Sequence, residues 1–404
     1  MIFIDKLKGL IKSLYFIVGL IFKTGGFLMK FFKKGLALAL LAILIFSLTS
    51  CADTTWVYKY KDYTMTSGEY LAYQTNSYQL AFSNVSEQLN PTQSEETSAE
   101  EAPAAVTVTK KEVFAATIDD KSAVDWINEE TLSSVKKALY INTMASEKGV
   151  ELSESEISSV TSNANYYWSV YGEAFFLPNG ISQESAMKYY TTSALASALF
   201  MKLYDEGGEK AVPTADIQEF FYENYARFKF GYASLQDAEG NAIADEEAKV
   251  IRDRFDGYLK EVNEKNADID TFITAEEDLI SDTNQSIPEG GVIDRNKIIP
   301  KVDSGYNEEM VKQILEAPEK KAVVFEDSNY IFIIEKFNIK ERATDFENNR
   351  SSALISFKFE DFSKEIDDYV ASNDFVVTAN DASVKKYNPK NIQDLDQSKV
   401  NALM

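Results

Sequence analysis

The chain has 404 residues, of which 45% are hydrophobic, 26% charged and 13% aromatic. That is enough apolar chain for two or three packed cores, and it excludes both a single small domain and wholesale disorder. A net charge of −23 argues against nucleic acid as a partner, and the complete absence of histidine removes Ser-His-Asp and Cys-His catalysis together with the commonest metal ligand.

Ile2 to Leu28 is apolar and dotted with lysine. Because Met29, followed by Lys30, Phe31, Phe32, Lys33 and Lys34, would itself serve as a start, residues 1–28 read as a start-site extension; a true amphipathic or membrane segment is the alternative. From Lys30 the chain passes through the apolar run Leu36 to Phe46 and ends in Leu48-Thr49-Ser50-Cys51. The run is about a dozen residues, short of the roughly 20 that a spanning helix needs, so 29–50 reads as a signal peptide. Leu-Thr-Ser-Cys resembles a bacterial lipobox, in which the cysteine is diacylated and becomes the first residue of the mature protein; an uncleaved signal anchor is the alternative. Cys51 is the only cysteine, so neither an intrachain disulfide nor a Cys/His zinc site can be assembled. Removal of residues 1–50 leaves 34 basic and 63 acidic residues and a net charge of −29. Such a protein stands off an anionic surface and is held there by lipid rather than by a basic patch.

After the cysteine, Trp56 to Tyr60 alternates like a strand, Lys61-Asp62 turns it, and Thr66 or Ser67 caps a helix reaching about Leu89. Residues 90–109 are acidic, punctuated by proline and free of aromatics, which predicts a disordered loop. Lys110 to Tyr204 is helical in pattern, with Leu132, Val135 and Leu139 at helical spacing, a stop at Gly149 and a capping box at Ser153 and Glu156. The aromatics Tyr166, Tyr167, Trp168, Tyr171, Phe175 and Phe176 follow. A stripe of this kind ordinarily faces a core, and a surface for unfolded chains is the competing reading. A helix from Ser182 to Tyr204 ends at Gly207-Gly208, and Pro213-Thr214 caps another through Ala226.

The period then changes. Phe228 to Leu235 alternates as a strand, Asp245 to Lys265 is helical, Gly290-Gly291 is a turn and Asn307 to Leu315 a short helix. Val323 to Phe325 and Tyr330 to Ile334 read as paired strands. An amphipathic helix from Asp345 to Ser372 precedes a strand at Phe375 to Val377 and a polar tail. The acidic runs Asp245-Glu246-Glu247 and Glu276-Glu277-Asp278 lack the ligand-Gly-ligand alternation of a calcium loop and read as solvated faces.

This order of parts resembles the foldase lipoproteins of Gram-positive bacteria, relatives of a periplasmic chaperone with a trigger-factor-like helical domain and parvulin modules. Trp56 to Tyr73 resembles the family's opening strand, turn and helix start, Asp125 to Val150 its helix and glycine stop, and Thr214 to Asn224 the helix leading into the parvulin module. The resemblance implies an α+β fold. It further implies a mainly helical chaperone-like domain built from 51–209 and 341–404, with a degenerate parvulin-like module at 210–340 inserted in it.

Parvulins keep one histidine on the first strand and one on the last, beneath an apolar proline pocket. Those positions fall near Tyr232 to Ser234 and near Ile331, and neither is a histidine. Gly290-Gly291 stands where the family has its Gly-Gly turn, and Leu315-Glu316-Ala317-Pro318-Glu319 replaces its Leu-x-x-Gly-Glu. No catalytic residue, cofactor or metal is therefore assigned. A pocket wall of Tyr232, Met310, Ile314, Phe325 and Tyr330 is expected to accept a proline ring, although the last four fit a plain module core equally well. Rotation about an X-Pro bond faces a barrier of about 18 to 20 kcal/mol and breaks no bond, so such a pocket could retain some activity.

The expected function is that of a lipid-anchored foldase on the outer face of the cytoplasmic membrane, whose partners are unfolded or newly secreted polypeptides and which has little or no isomerase activity. An active parvulin-type peptidyl-prolyl isomerase is the first alternative. A solute-binding lipoprotein is the second, disfavoured because the chain lacks a repeated βαβ pattern.

Overall fold

The computed structural model describes residues 55–90, 108–237, 239–280, 295–302 and 305–402. Segments 1–28 and 29–50, Cys51, the Gly290-Gly291 turn and all but the ends of the 90–109 loop lie outside these residues. The described chain is α+β and divides into two units, 1–199 with 366–404, and 200–365.

In the first unit, β1 (Trp56–Tyr60) and β2 (Tyr63–Thr66) pair antiparallel across a turn at Lys61. Thr66 then caps α1 (Ser67–Leu89) with a capping box, its backbone N–H donating to Glu69 Oε2 at 2.8 Å. Thr109 and Ser153 do the same for α2 (Lys110–Ala115) and α4 (Glu154–Tyr171). Between these helices lie the hairpin β3 (Thr117–Ile118) and β4 (Lys121–Ser122) and the long helix α3 (Ala123–Glu147). The core joins Tyr78, Ala81 and Val85 of α1 to Val113, Ile118, Ile127 and the distant Ile392. A π-helical turn, Gly172–Phe176, and a 3₁₀ turn, Leu177–Asn179, separate α4 from α5 (Gln183–Tyr204).

The C-terminal segment departs from the sequence reading in two ways. The expected strand at Phe375–Val377 lies instead at β9 (Thr378–Ala379), which pairs with β1. Phe375 is drawn into an aromatic box with Tyr60, Tyr140 and Tyr369, at ring-centroid distances of 4.2, 6.2 and 5.6 Å, and the backbone is free to pair only after it. The tail is not simply polar, because Ile392 and Val400 are buried. Its backbone is tied down as well: Asn179 Nδ2 donates to the Gln393 carbonyl at 3.1 Å, Gln393 N–H donates to Asn179 Oδ1 at 2.7 Å, and Asp396 N–H donates to the Ala174 carbonyl at 3.1 Å.

In the second unit, α6 (Thr214–Asn224) leads into β5 (Tyr225–Ser234). The strand starts three residues before its sequence-based limit because Tyr225 to Phe228 pair with β6 (Lys297–Pro300). The rest comprises α7 (Asp245–Lys265), α8 (Ile269–Ile280), α9 (Glu308–Glu316), β7 (Ala322–Glu326), β8 (Tyr330–Phe337) and α10 (Ala343–Ala371). The boundaries between the units fall within α5 and α10. The sheet is antiparallel with order β6-β5-β8-β7, and it has two distinct faces. Ala233, Ile331 and Ile333 meet Phe255, Val262, Ile269 and Ile273 of α7 and α8 on one. Phe228, Phe332 and Ile334 meet Met310 and Ile314 of α9 on the other. Each fully buried side chain of this size contributes roughly 1.5 to 3 kcal/mol relative to exposure.

Helix α8 and strand β6 had no counterpart in the sequence reading. Ile269, Phe272 and Ile273 begin an apolar stripe whose fourth position is Glu276, and that glutamate conceals the period. It is not on a solvated face: Glu276 is 2% exposed, and Arg254 of α7 holds it through hydrogen bonds of 2.7 and 2.8 Å, with Tyr258 Oη donating to it at 2.8 Å. Asp245, Glu246 and Glu247, in contrast, are exposed in the first turn of α7, where the helix dipole favours them. Gly231 lets α8 lie on the sheet, since a Cβ there would sit 3.3 Å from Ile273 Cγ1.

Candidate functional site

Two surfaces carry chemistry, one in each unit. In the second unit the aromatic face of the sheet includes Phe228, Phe230 and Tyr232 from β5 and Tyr330 and Phe332 from β8. Tyr232 is paired across the strands with Phe332, and its ring meets that of Tyr330 edge-on at 5.6 Å. Phe325 of β7 stacks on Phe332 at 5.6 Å. The rings grade from core to surface: Phe228 is fully buried and Phe325 and Phe332 nearly so, while Tyr232 and Tyr330 are 40% and 36% exposed.

The five residues expected to line a pocket are thus divided. Met310, Ile314 and Phe325 are buried among Ala226, Phe228, Ile299 and Ile334, as members of the second unit's core, and Tyr232 and Tyr330 form a ledge at its edge. The positions that stand where the resembled family keeps histidines, Tyr232 to Ser234 and Ile331, straddle the sheet: Ala233 pairs with Ile331 and shares its face under α7 and α8, while Tyr232 pairs with Phe332 on the α9 face. The ledge offers flat apolar rings and two phenolic hydroxyls, which can hold a ring or an aliphatic side chain but supply no histidine-centred hydrogen-bond network.

The second surface lies in the first unit, and it answers the question left by the aromatic stripe. Of the 18 residues of α4 only Ala164 is buried. Tyr166 and Tyr167 are 64% and 41% exposed, and Trp168, Tyr171, Phe175 and Phe176 are half-buried; Trp168 and Phe176 pack against the buried cluster of Ala72, Ile181 and Ala186, so the stripe is divided between core packing and solvent. The rings form a ladder in two separate groups, one of tyrosines and one of Trp168, Phe175 and Phe176. Tyr167 stacks on Tyr190 of α5 at 5.6 Å and 12°, and on Tyr171 at 6.3 Å, while Trp168 stacks on Phe176 at 5.8 Å and 7°. Tyr189 meets Tyr190 at 5.5 Å and Tyr73 of α1 at 4.9 Å.

Beneath the ladder is a cleft of about 140 Å³, lined on α1 by Ala72, Thr75, Asn76 and Gln79 and on the other walls by Phe175, Phe176, Ala186, Tyr189 and Tyr190. A cavity of roughly 150 Å³ holds a benzene ring, so one aromatic or branched aliphatic side chain fits here. Thr75 Oγ1 is already committed to the Ala72 carbonyl at 2.9 Å. Asn76 and Gln79 make no hydrogen bond among the described residues, and their carboxamides are available to a peptide backbone. Burial raises the Tyr189 hydroxyl above its ordinary range. Burial, with the neighbouring Tyr189 and Tyr167, pushes that of Tyr190 up to about 12. Both rings therefore stay neutral at physiological pH.

Sequence reasoning missed Asn76, Gln79, Tyr189 and Tyr190. The available signal was the pair of tandem tyrosines, Tyr166-Tyr167 and Tyr189-Tyr190, on consecutive helices.

No protein-family model matches the chain, and no curated protein matches it. Among solved structures it is similar to the foldase protein PrsA of Streptococcus pneumoniae, at 13% identity and a TM-score of 0.35 over 68% of this chain and 98% of that one. It is similar to PrsA of Bacillus subtilis at 14% identity and a TM-score of 0.29, over 59% and 81% of the two chains. For the foldase protein of Lactococcus lactis the values are 12%, 0.32, 68% and 90%. At this identity and TM-score no residue role is carried across.

Proposed function

We propose that the protein is a lipid-anchored foldase-type chaperone on the outer face of the cytoplasmic membrane, which holds unfolded or newly secreted polypeptides on the aromatic surface around α4 and α5. The observation that supports it is the exposed ladder of rings above a side-chain-sized cleft. A helix that buries one residue in eighteen draws little stability from tertiary packing. Rings left in water in such a patch are costly to solubility unless they bind something. The lipobox-like Leu48-Thr49-Ser50-Cys51 supports the anchor, and the missing histidines support an isomerase activity near background.

An isomerase reading keeps one specific support, the half-exposed ledge of Tyr232 and Tyr330. The test of the primary reading is suppression of aggregation of a chemically denatured test protein by the unanchored chain from Ala52 onward. Wild type should protect at near-stoichiometric ratio, and the exposed double substitution Tyr166→Ser with Tyr167→Ser should lose most of the protection. Undiminished protection by that variant would remove the assigned surface from the function.

A further inference from the structure

We infer that the aromatic cleft selects apolar segments that also carry lysine or arginine; this rests on the reading of that surface as a polypeptide-binding site. The argument is charge complementarity around the cleft. From Gly149 to Met187, the stretch that supplies the ladder and one wall, there is neither lysine nor arginine. Of its five glutamates, Glu151, Glu154 and Glu156 stand at the start of α4, about 25 Å along the helix from Tyr171, whereas Glu173 and Glu184 lie within two residues of the cleft lining. Helix α1, the opposite wall, adds Glu69 and Glu87 and again no basic residue. Helix α5 brings Lys188 to this region, and Glu184 pairs with it at 3.2 Å. From the C-terminal segment, Lys399 donates to the backbone carbonyl of Glu173 at 3.1 Å, which leaves the Glu173 carboxylate itself exposed and uncommitted. Glu69 is also engaged, accepting from Tyr63 and from Thr66.

The rings add to this field. A neutral tyrosine face attracts a cation placed over it, and Tyr166, 64% exposed, presents its ring to solvent. A segment that seats an apolar side chain in the cleft thus finds the Tyr166 ring and the uncommitted Glu173 carboxylate nearby, and an acidic segment meets repulsion there.

The experiment uses the mature chain and three fluorescein-labelled peptides of identical length with the same leucine and phenylalanine positions, whose remaining positions are all lysine, all glutamine or all glutamate. Anisotropy titrations should rank lysine tightest and glutamate weakest, and the gap should narrow as salt rises and screening shortens the reach of the field. Glu173→Gln and Tyr166→Leu should each weaken the lysine peptide by about two- to fivefold, the size of one exposed cation–ring or ion contact. Both residues are exposed, so folding is not at stake. Glu246→Gln, which removes the same charge from the other unit, should change nothing and so separates a local site from bulk net charge. Equal affinity for the three peptides, or an equal effect of Glu246→Gln and Glu173→Gln, overturns the selection. If aggregation is still suppressed in that case, client holding stands without it; if no peptide binds and no suppression occurs, the underlying reading fails as well.

Discussion

Replacement of Glu276 tests how the second unit is held together. This side chain is 2% exposed and accepts three hydrogen bonds, two from the Arg254 guanidinium at 2.7 and 2.8 Å and one from Tyr258 Oη at 2.8 Å. Glu276→Ala strands the guanidinium and the phenol together. Removing one partner of a fully buried pair costs roughly 3 to 5 kcal/mol, but Arg254 keeps 30% of its side chain in water and can recover solvation, so the expected loss is about 2 to 3 kcal/mol. The double replacement Arg254→Leu with Glu276→Leu removes both charges and completes the apolar stripe of Ile269, Phe272 and Ile273. It should lie within about 1 kcal/mol of wild type. Trp56, Trp126 and Trp168 all belong to the first unit, so tryptophan fluorescence does not report this change. The assay is amide hydrogen exchange followed by mass spectrometry on peptides from β5 and β8. A single variant that costs less than about 1 kcal/mol, or a double variant as unstable as the single, would show that the pair does not couple α7 to α8.

Gly68→Ala should destabilise the first unit by about 1 to 3 kcal/mol, read by tryptophan fluorescence in urea, because the new Cβ would lie 2.2 Å from Ser185 Oγ and 2.9 Å from its Cβ. Burial raises the Glu335 carboxyl, with Asp268 and Asp270 opposing its ionisation and Lys229 favouring it. Stability from the protonated form is fully present below the unfolded-state value and is lost as pH rises through the raised folded one. Glu335→Gln should therefore raise the urea midpoint at pH 7 and leave it unchanged near pH 4. Cys51→Ser should abolish incorporation of labelled lipid and release the protein from membranes; unchanged labelling would dismiss the anchor. Cis/trans exchange of a proline tetrapeptide should stay near background with the mature chain, and turnover that is lost on Tyr330→Ala would promote the isomerase reading.

The local features were legible because the physics behind them is local. The helix start at Thr66 or Ser67, the capping box at Ser153, the span of α7, the pairing of β7 with β8 and the period of α3 follow from residues within a few positions of one another. The absence of histidine likewise excluded whole classes of chemistry before any fold was known. Tertiary structure decided what depends on distant partners. Helix α8 is hidden in the sequence because Glu276 stands where an apolar residue belongs, and only the arrival of Arg254 from another helix makes its burial tolerable. Strand β9 could not be placed until Phe375 met rings from three other segments. The aromatic stripe of α4 has the same spacing whether it faces a core or water. Its exposure is set by how little of the chain packs over it, and a period of 3.6 residues says which side chains share a face but not what lies opposite that face.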